Sequence, residues 1–129
     1  MTSNLYQYFK SVDKFLEALD ELKEITINRN TGKVYAVFRS INNNTDYDVI
    51  IDIFNFKYCC SCKAFTYNKL CKHVRLALFL AFFYDKLSMQ YFRKASFQML
   101  VIDKDYTYYY RVHKGRIIVG QMKRKFDVI

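Results

Sequence analysis

The sequence predicts an α+β fold: an N-terminal helix, antiparallel strands, a β-β-α unit whose helix is buried, and a C-terminal β-hairpin. Three observations predict it. Apolar residues recur at three- and four-residue steps through residues 4–23, which is a helical period. Strand-like runs bounded by turn residues follow, first between residues 25 and 58 and again after residue 97. Between these two sets, residues 72–87 are apolar on almost every side, as a helix buried all round would be. The chain has 129 residues, 52% of them apolar, with no Pro and three Gly, so it reads as one ordered domain spanning 1–129. Its parts are a helix over 1–24, strands and a central core over 25–87, and a basic, strand-rich part over 88–129.

Each element has its own signal. In the first helix Leu5, Phe9, Val12, Leu16, Leu19 and Leu22 share one face; Thr2, Ser3 or Asn4 can cap it, and Ser11 can cap a second start. Asp13, Glu17, Asp20, Glu21 and Glu24 read as its solvated side. Ile25–Arg29 turns back into Val34–Ser40 through Asn30-Thr31-Gly32, a hairpin signature. Asn42-Asn43-Asn44-Thr45-Asp46 marks the next turn. Asp48–Tyr58 reads as one long strand with Val49, Ile51 and Ile53 on one face. The helix from Lys72 follows, with Arg75 as the main break in its apolar surface. Phe97–Asp103 is the next strand. Asp105–His113 and Arg116–Lys123 pair around Lys114-Gly115, so His113 faces Arg116 and Arg111 faces Ile118.

Between the long strand and the buried helix lies the densest chemistry in the chain. Cys60-Ser61-Cys62 is followed eight residues later by Cys71-Lys72-His73. Three thiols and one imidazole are the donor set of a closed, tetrahedral zinc site. On a strand, Cys60 and Cys62 project to the same side because the side-chain period is two. Residues 63–70 bring the chain back, and His73 opens the helix. Cys59 offers a second spacing, Cys59-x2-Cys62, but strand alternation favours Cys60. Four Cys within thirteen residues do not form a dispersed disulfide framework, which points to a reducing, intracellular setting. No basic-then-apolar leader opens the sequence. The longest apolar run, Leu76 to Tyr84, is far short of the roughly 20 residues that span a bilayer.

The pattern Cys60-x-Cys62-x8-Cys71-x-His73, entered from a strand and leaving into an apolar helix at Val74, resembles the SWIM zinc finger. The resemblance covers about Asp48–Tyr84. It implies zinc as cofactor, Cys60, Cys62, Cys71 and His73 as ligands, a β-β-α unit around the metal, and a binding rather than catalytic role. The sequence departs from the family in lacking Pro near the second and third ligands. Residues 1–40 and 88–129 carry no family resemblance.

Charge suggests the partner. Residues 1–52 carry six Lys/Arg against eight Asp/Glu, whereas residues 53–129 carry fifteen against four. A basic half of this kind is the footprint of a phosphate-binding surface. The expected function is therefore non-enzymatic nucleic-acid binding, DNA ahead of RNA. Lys63, Lys69, Lys72 and Arg75 surround the metal ligands, and Lys123, Arg124 and Lys125 form a second group. Tyr109, Arg111 and His113 share one strand face, opposite Tyr106, Tyr108 and Tyr110, and an aromatic face beside basic residues can stack unpaired bases. The alternative is a protein-interaction adaptor with a purely structural zinc. Asp85, Asp103 and Asp105 have no spacing that makes a nuclease site, so the sequence predicts no enzyme and no membrane partner.

Overall fold

A computed structural model describes residues 12–63, 71–84 and 94–123. In chain order these form α1 (Val12–Glu21), β1 (Leu22–Asn28), β2 (Lys33–Arg39), β3 (Asp46–Asp52), β4 (Lys57–Cys60), α2 (Lys72–Phe83), β5 (Ser96–Ile102), β6 (Tyr106–His113) and β7 (Arg116–Lys123). The seven strands make one sheet in the order β4-β3-β2-β1-β5-β6-β7. Every neighbouring pair is antiparallel except β1–β5, which is parallel. The expectation of antiparallel strands alone is thus corrected at one place. The chain between β4 and β5 contains α2, and a parallel return requires a long connection of that kind.

Alternation along the strands separates two faces. Val34, Ala36 and Phe38 of β2, Val49 and Ile51 of β3, Cys60 of β4, and Phe97, Met99 and Val101 of β5 are buried. Both helices pack on this side, with α2 against β2, β3 and β4, and α1 against β2 and α2. Phe15 of α1 and Phe79 of α2 meet edge to face, with ring centroids 5.3 Å apart at 88°. The opposite sheet face has no helix on it among the described residues, and it presents polar, charged and aromatic side chains together with exposed aliphatic ones, Ile50, Ile118 and Met122.

Two sequence boundaries shift. The N-terminal helix ends at Glu21, and Leu22–Glu24 already belong to β1. Its buried stripe is Phe15, Ala18 and Leu19, running on to Leu22 in β1, so Leu19 and Leu22 are buried as expected while Phe15 takes the inward place expected of Leu16, which is exposed. The part of that prediction before residue 12 lies outside the described residues. The long strand Asp48–Tyr58 is really two strands. Residues 53–56 form a turn in which Phe56 takes φ 53°, and the Asn55 amide donates to Asp52. Phe54 folds back so closely over Gly32 (φ 72°) that a Cβ there would sit 2.8 Å from its ring. The terminal hairpin falls in the expected register, with His113 opposite Arg116 and Arg111 opposite Ile118. Lys114 (φ 45°) and Gly115 (φ 84°) supply the two positive φ values of a type I′ turn.

Candidate metal centre

The metal ligands converge because strand register and helix start bring them together. Cys60 ends β4 opposite Val49 of β3, on the covered face. Cys59 lies opposite Ile50 on the open face and is exposed, so it points away from the centre. Beyond β4, Ser61 keeps the chain tied to β3. Its N–H donates to Asp48 O at 3.2 Å, and its Oγ accepts from Asp48 N at 3.0 Å. This clamp between two ligands holds Ser61 beside β3 just past the end of β4, and the chain bends at Cys62. Cys71 stands at the N-cap of α2 with extended backbone, and His73 lies in the first turn.

The ligand atoms of Cys60, Cys62, Cys71 and His73 all lie within 4.8 Å of one another, and all four residues are buried. Tetrahedral zinc with sulfur at about 2.3 Å requires sulfurs about 3.8 Å apart, so the cluster fits the ion with minor contraction. Cys60 Sγ is 3.9 Å from His73 Nδ1, which makes Nδ1 the nitrogen that faces the thiols. Electrostatics agree with the geometry. A hydrogen bond from Cys60 favours the Cys71 thiolate and brings its pKa down to about 4, against the cost of burial. The same hydrogen bond, together with burial, pushes the Cys60 thiol far above its ordinary value. Buried thiolates gathered at one point repel one another, and a dication supplies the counter-charge that they need. Zinc held by these four ligands has no open position, so it stabilises structure and offers no Lewis-acid chemistry to a substrate.

The sequence reading missed the groups behind the imidazole. Glu21 reads as a solvated helix residue, yet it is only 5% exposed, and its Oε1 lies 3.5 Å from His73 Nε2. The two atoms make no hydrogen bond at this distance and His73 Nε2 has no other hydrogen-bond partner, so a small rotation of the ring would let the carboxylate take the Nε2 proton and leave Nδ1 for metal, as outer-shell partners of zinc histidines do. Phe38 and Tyr47 hold the ring from its sides, with centroids 4.6 and 5.5 Å away. Lys72 ion-pairs with both Glu21 and Glu17, at 2.6 Å to Glu17, which joins the two helices over the metal centre. Burial opposes the Lys72 charge, but its bonds to Glu17 and Glu21 outweigh that cost and raise its pKa. The signal available in the sequence was the spacing Glu17–Glu21, one helical turn, with Glu21 next to the apolar Leu22.

The predicted basic residues are scattered. Lys63 is exposed beside Cys62, Arg75 is half-buried on α2, and Lys123 is exposed at the end of β7. Lys72 is engaged by the two glutamates. Lys69, Arg124 and Lys125 lie outside the described residues. His113 is exposed, with its Nδ1 2.9 Å from Ser96 Oγ.

Residues 47–82 match the family model of the SWIM zinc finger, and the four buried ligands in this span have its C-x-C…C-x-H pattern. That part of the chain is similar to the SWIM zinc finger, and its four buried donors are compatible with zinc. No curated protein matches the chain, and no solved structure matches it. No described helix is long and apolar enough to cross a membrane.

Proposed function

We propose that the chain is a non-enzymatic, zinc-stabilised nucleic-acid-binding protein, DNA ahead of RNA, working inside the cell where its clustered thiols stay reduced. The observation that carries the reading is the state of the cations on β6 and β7. Arg111, Lys114, Arg116 and Lys123 are all exposed, and none has an ion-pair partner among the described residues. By contrast Lys33, Arg39 and Lys72, on β2 and α2, are paired with carboxylates. Phosphates are the natural counter-charge for such a surface, and each neutralised phosphate releases a counterion. Lys63, exposed just beyond β4 at the opposite edge of the sheet, is a separate cation on the zinc side. Lys72 is committed to its glutamates, so binding does not depend on it.

The test is fluorescence anisotropy on a labelled mixed-sequence duplex and on one of its strands, titrated with salt. With four phosphate contacts, log K falls against log salt with a slope of about −3 to −4. Reversing Arg116 and Lys123 to Glu weakens binding to both probes and flattens the slope. Absence of binding to either probe at the lowest salt refutes the reading.

A second reading has its own observation. Phe54, Phe56 and Phe82 are 61%, 79% and 50% exposed, and Phe54 and Phe82 line one cavity of about 410 Å³ with Ile53 and Arg29. Exposed aromatics of this kind suit a protein partner, as an adaptor requires. Co-purification of a stoichiometric protein that F54S/F82S releases, with nucleic-acid binding absent, would put this reading first.

A further inference from the structure

The open face of the sheet carries a groove of about 480 Å³, lined among others by Glu24, Gln98, Leu100, Tyr109, Arg111 and Gly120. Register explains why it exists. Tyr109 stands between Leu100 of β5 and Gly120 of β7, and Arg111 stands between Gln98 and Ile118 in the next row. Gly120 contributes no side chain, so the flank of the Tyr109 ring toward β7 has nothing to cover it. Tyr109 is 46% exposed, a large value for an aromatic in an interior strand.

We propose that this groove is a stacking site for an unpaired base, so that the ligand is single-stranded nucleic acid; this rests on the nucleic-acid reading above. An aromatic ring on an open sheet, with a guanidinium in the adjacent row, takes the face of any base while nearby cations hold its phosphates. Here the cations of the groove's own face are Arg111 on β6 and Arg116 on β7, whereas Lys123 pairs with Tyr106 and belongs to the other face at the sheet's edge. Glu24 lies two strands from Arg111, about 10 Å across the sheet. The polarity is therefore defined: phosphates run along β6 and β7, and base edges point toward Gln98 and Glu24. A duplex presents no base face and gains nothing from the groove.

The other exposed tyrosine of this face is unsuited to stacking. Tyr35 lies in the same cross-strand row as Tyr109, with Thr26 and Leu100 between them. Its hydroxyl donates to Asp48, and that bond raises its pKa. The carboxylates of Asp46, Asp48 and Asp52 on β3 repel a phosphate chain there. Stacking is confined to the β5–β7 side by charge.

Two variants test the site by different routes. Tyr109→Ala removes the platform. Gly120→Val fills the groove, and it is tolerated by the backbone, since a Cβ at Gly120 meets only Tyr109 Cβ at 3.9 Å. Each keeps all charges. Anisotropy with the labelled single strand should show an affinity loss of about five- to a hundredfold for both variants, with unchanged salt slope and unchanged duplex binding. Tyr109→Phe should bind as the parent does, because the stacking face remains. Single-strand affinity unchanged in both Tyr109→Ala and Gly120→Val, with R116E/K123E still weakening it, overturns the stacking site and leaves the phosphate surface standing. Loss of duplex and single-strand affinity in equal measure also overturns it. Failure of the unaltered protein to bind either probe refutes the underlying nucleic-acid reading instead.

Discussion

Strands β1–β4 and strands β5–β7 belong to one sheet, yet their open faces handle charge in different ways. On the first part Lys33 meets Asp52 at 2.9 Å across β2 and β3, and Arg39 meets Asp46 at 2.8 Å. Lys23 lies 3.8 Å from the same Asp46. The first two pairs fall directly opposite one another in the β2–β3 register, where cross-strand partners interact best. Residues 94–123 carry six Lys/Arg and two Asp, and one of those acids, Asp103, sits 3.6 Å from Arg29 of the β1–β2 loop. The undersides differ too. Helices and a zinc centre cover β2–β4, while β7 is mostly exposed along its length. One part of the sheet satisfies itself and the other is left for a ligand, so stability and binding should separate under mutation.

The largest effect should come from the metal. Cys62→Ser or His73→Ala removes a ligand from a site whose binding energy is folding energy, of order 10 kcal/mol in small zinc domains. Hydrogen exchange on the chelated protein is expected to show protection falling first in β3, β4 and α2, with the β6–β7 hairpin lost last. Cys59→Ser, at an exposed thiol on the opposite face, should bind zinc in full. Simultaneous loss of protection in every strand would break the comparison, since it would make the two regions one cooperative unit.

Phe79→Ala comes next. Phe79 is fully buried and packs against Phe15 and Phe83. Emptying such a site costs about 3–5 kcal/mol. Denaturant unfolding measures the loss, and residual binding by the folded fraction should keep its salt slope. A changed slope would mean that the helices shape the basic surface as well as the core.

How much of this was legible in the sequence differs between the same two regions. The terminal hairpin was readable down to its register, because Lys114-Gly115 fits a two-residue turn and alternation does the rest. The zinc ligands were readable because thiol chemistry has a spacing that survives without knowledge of the fold. The break at residues 53–56 was hidden, because Ile53, Phe54 and Phe56 have strand propensity and the turn depends on Phe56 adopting a left-handed conformation. The parallel β1–β5 pair was hidden as well, since nothing local specifies which strand a distant segment joins. Glu21 was misread for a related reason: its burial is set by His73, fifty-two residues away, and not by its own helix. Lys72 carried a charge that counted toward the basic half, and tertiary contact turned it inward.

Glu21→Ala sharpens the comparison at the metal. It leaves His73 Nε2 without its carboxylate, and loss of such an outer-shell partner lowers metal affinity about 10- to 100-fold. Competition against a chromophoric chelator reads this directly. Glu21→Gln, whose amide oxygen can still accept the Nε2 proton, should recover most of the affinity. Equal loss in both would assign the effect to the Glu21–Lys72 ion pair, and Lys72→Met would then reproduce it.

The smallest effect lies where the two helices join. A hydrogen bond from Lys72 holds the Glu17 carboxyl below its usual range, against a modest cost of burial, with Lys14 adding attraction. A carboxyl whose folded pKa is depressed contributes stability that is present above its unfolded pKa. That contribution is lost as pH falls through the folded value. Glu17→Gln should therefore lower the thermal midpoint slightly at neutral pH, by the modest worth of a half-exposed ion pair. The gap between parent and variant should close as the solution is acidified below the normal glutamate range. Zinc release at low pH acts on both proteins alike and cancels in that difference. Nucleic-acid affinity should be the same in parent and variant at every pH where both are folded, because Lys72 is not among the groups left for phosphate. If Glu17→Gln strengthens binding by freeing Lys72, the division of charge between the two parts of the sheet does not hold at the helix junction.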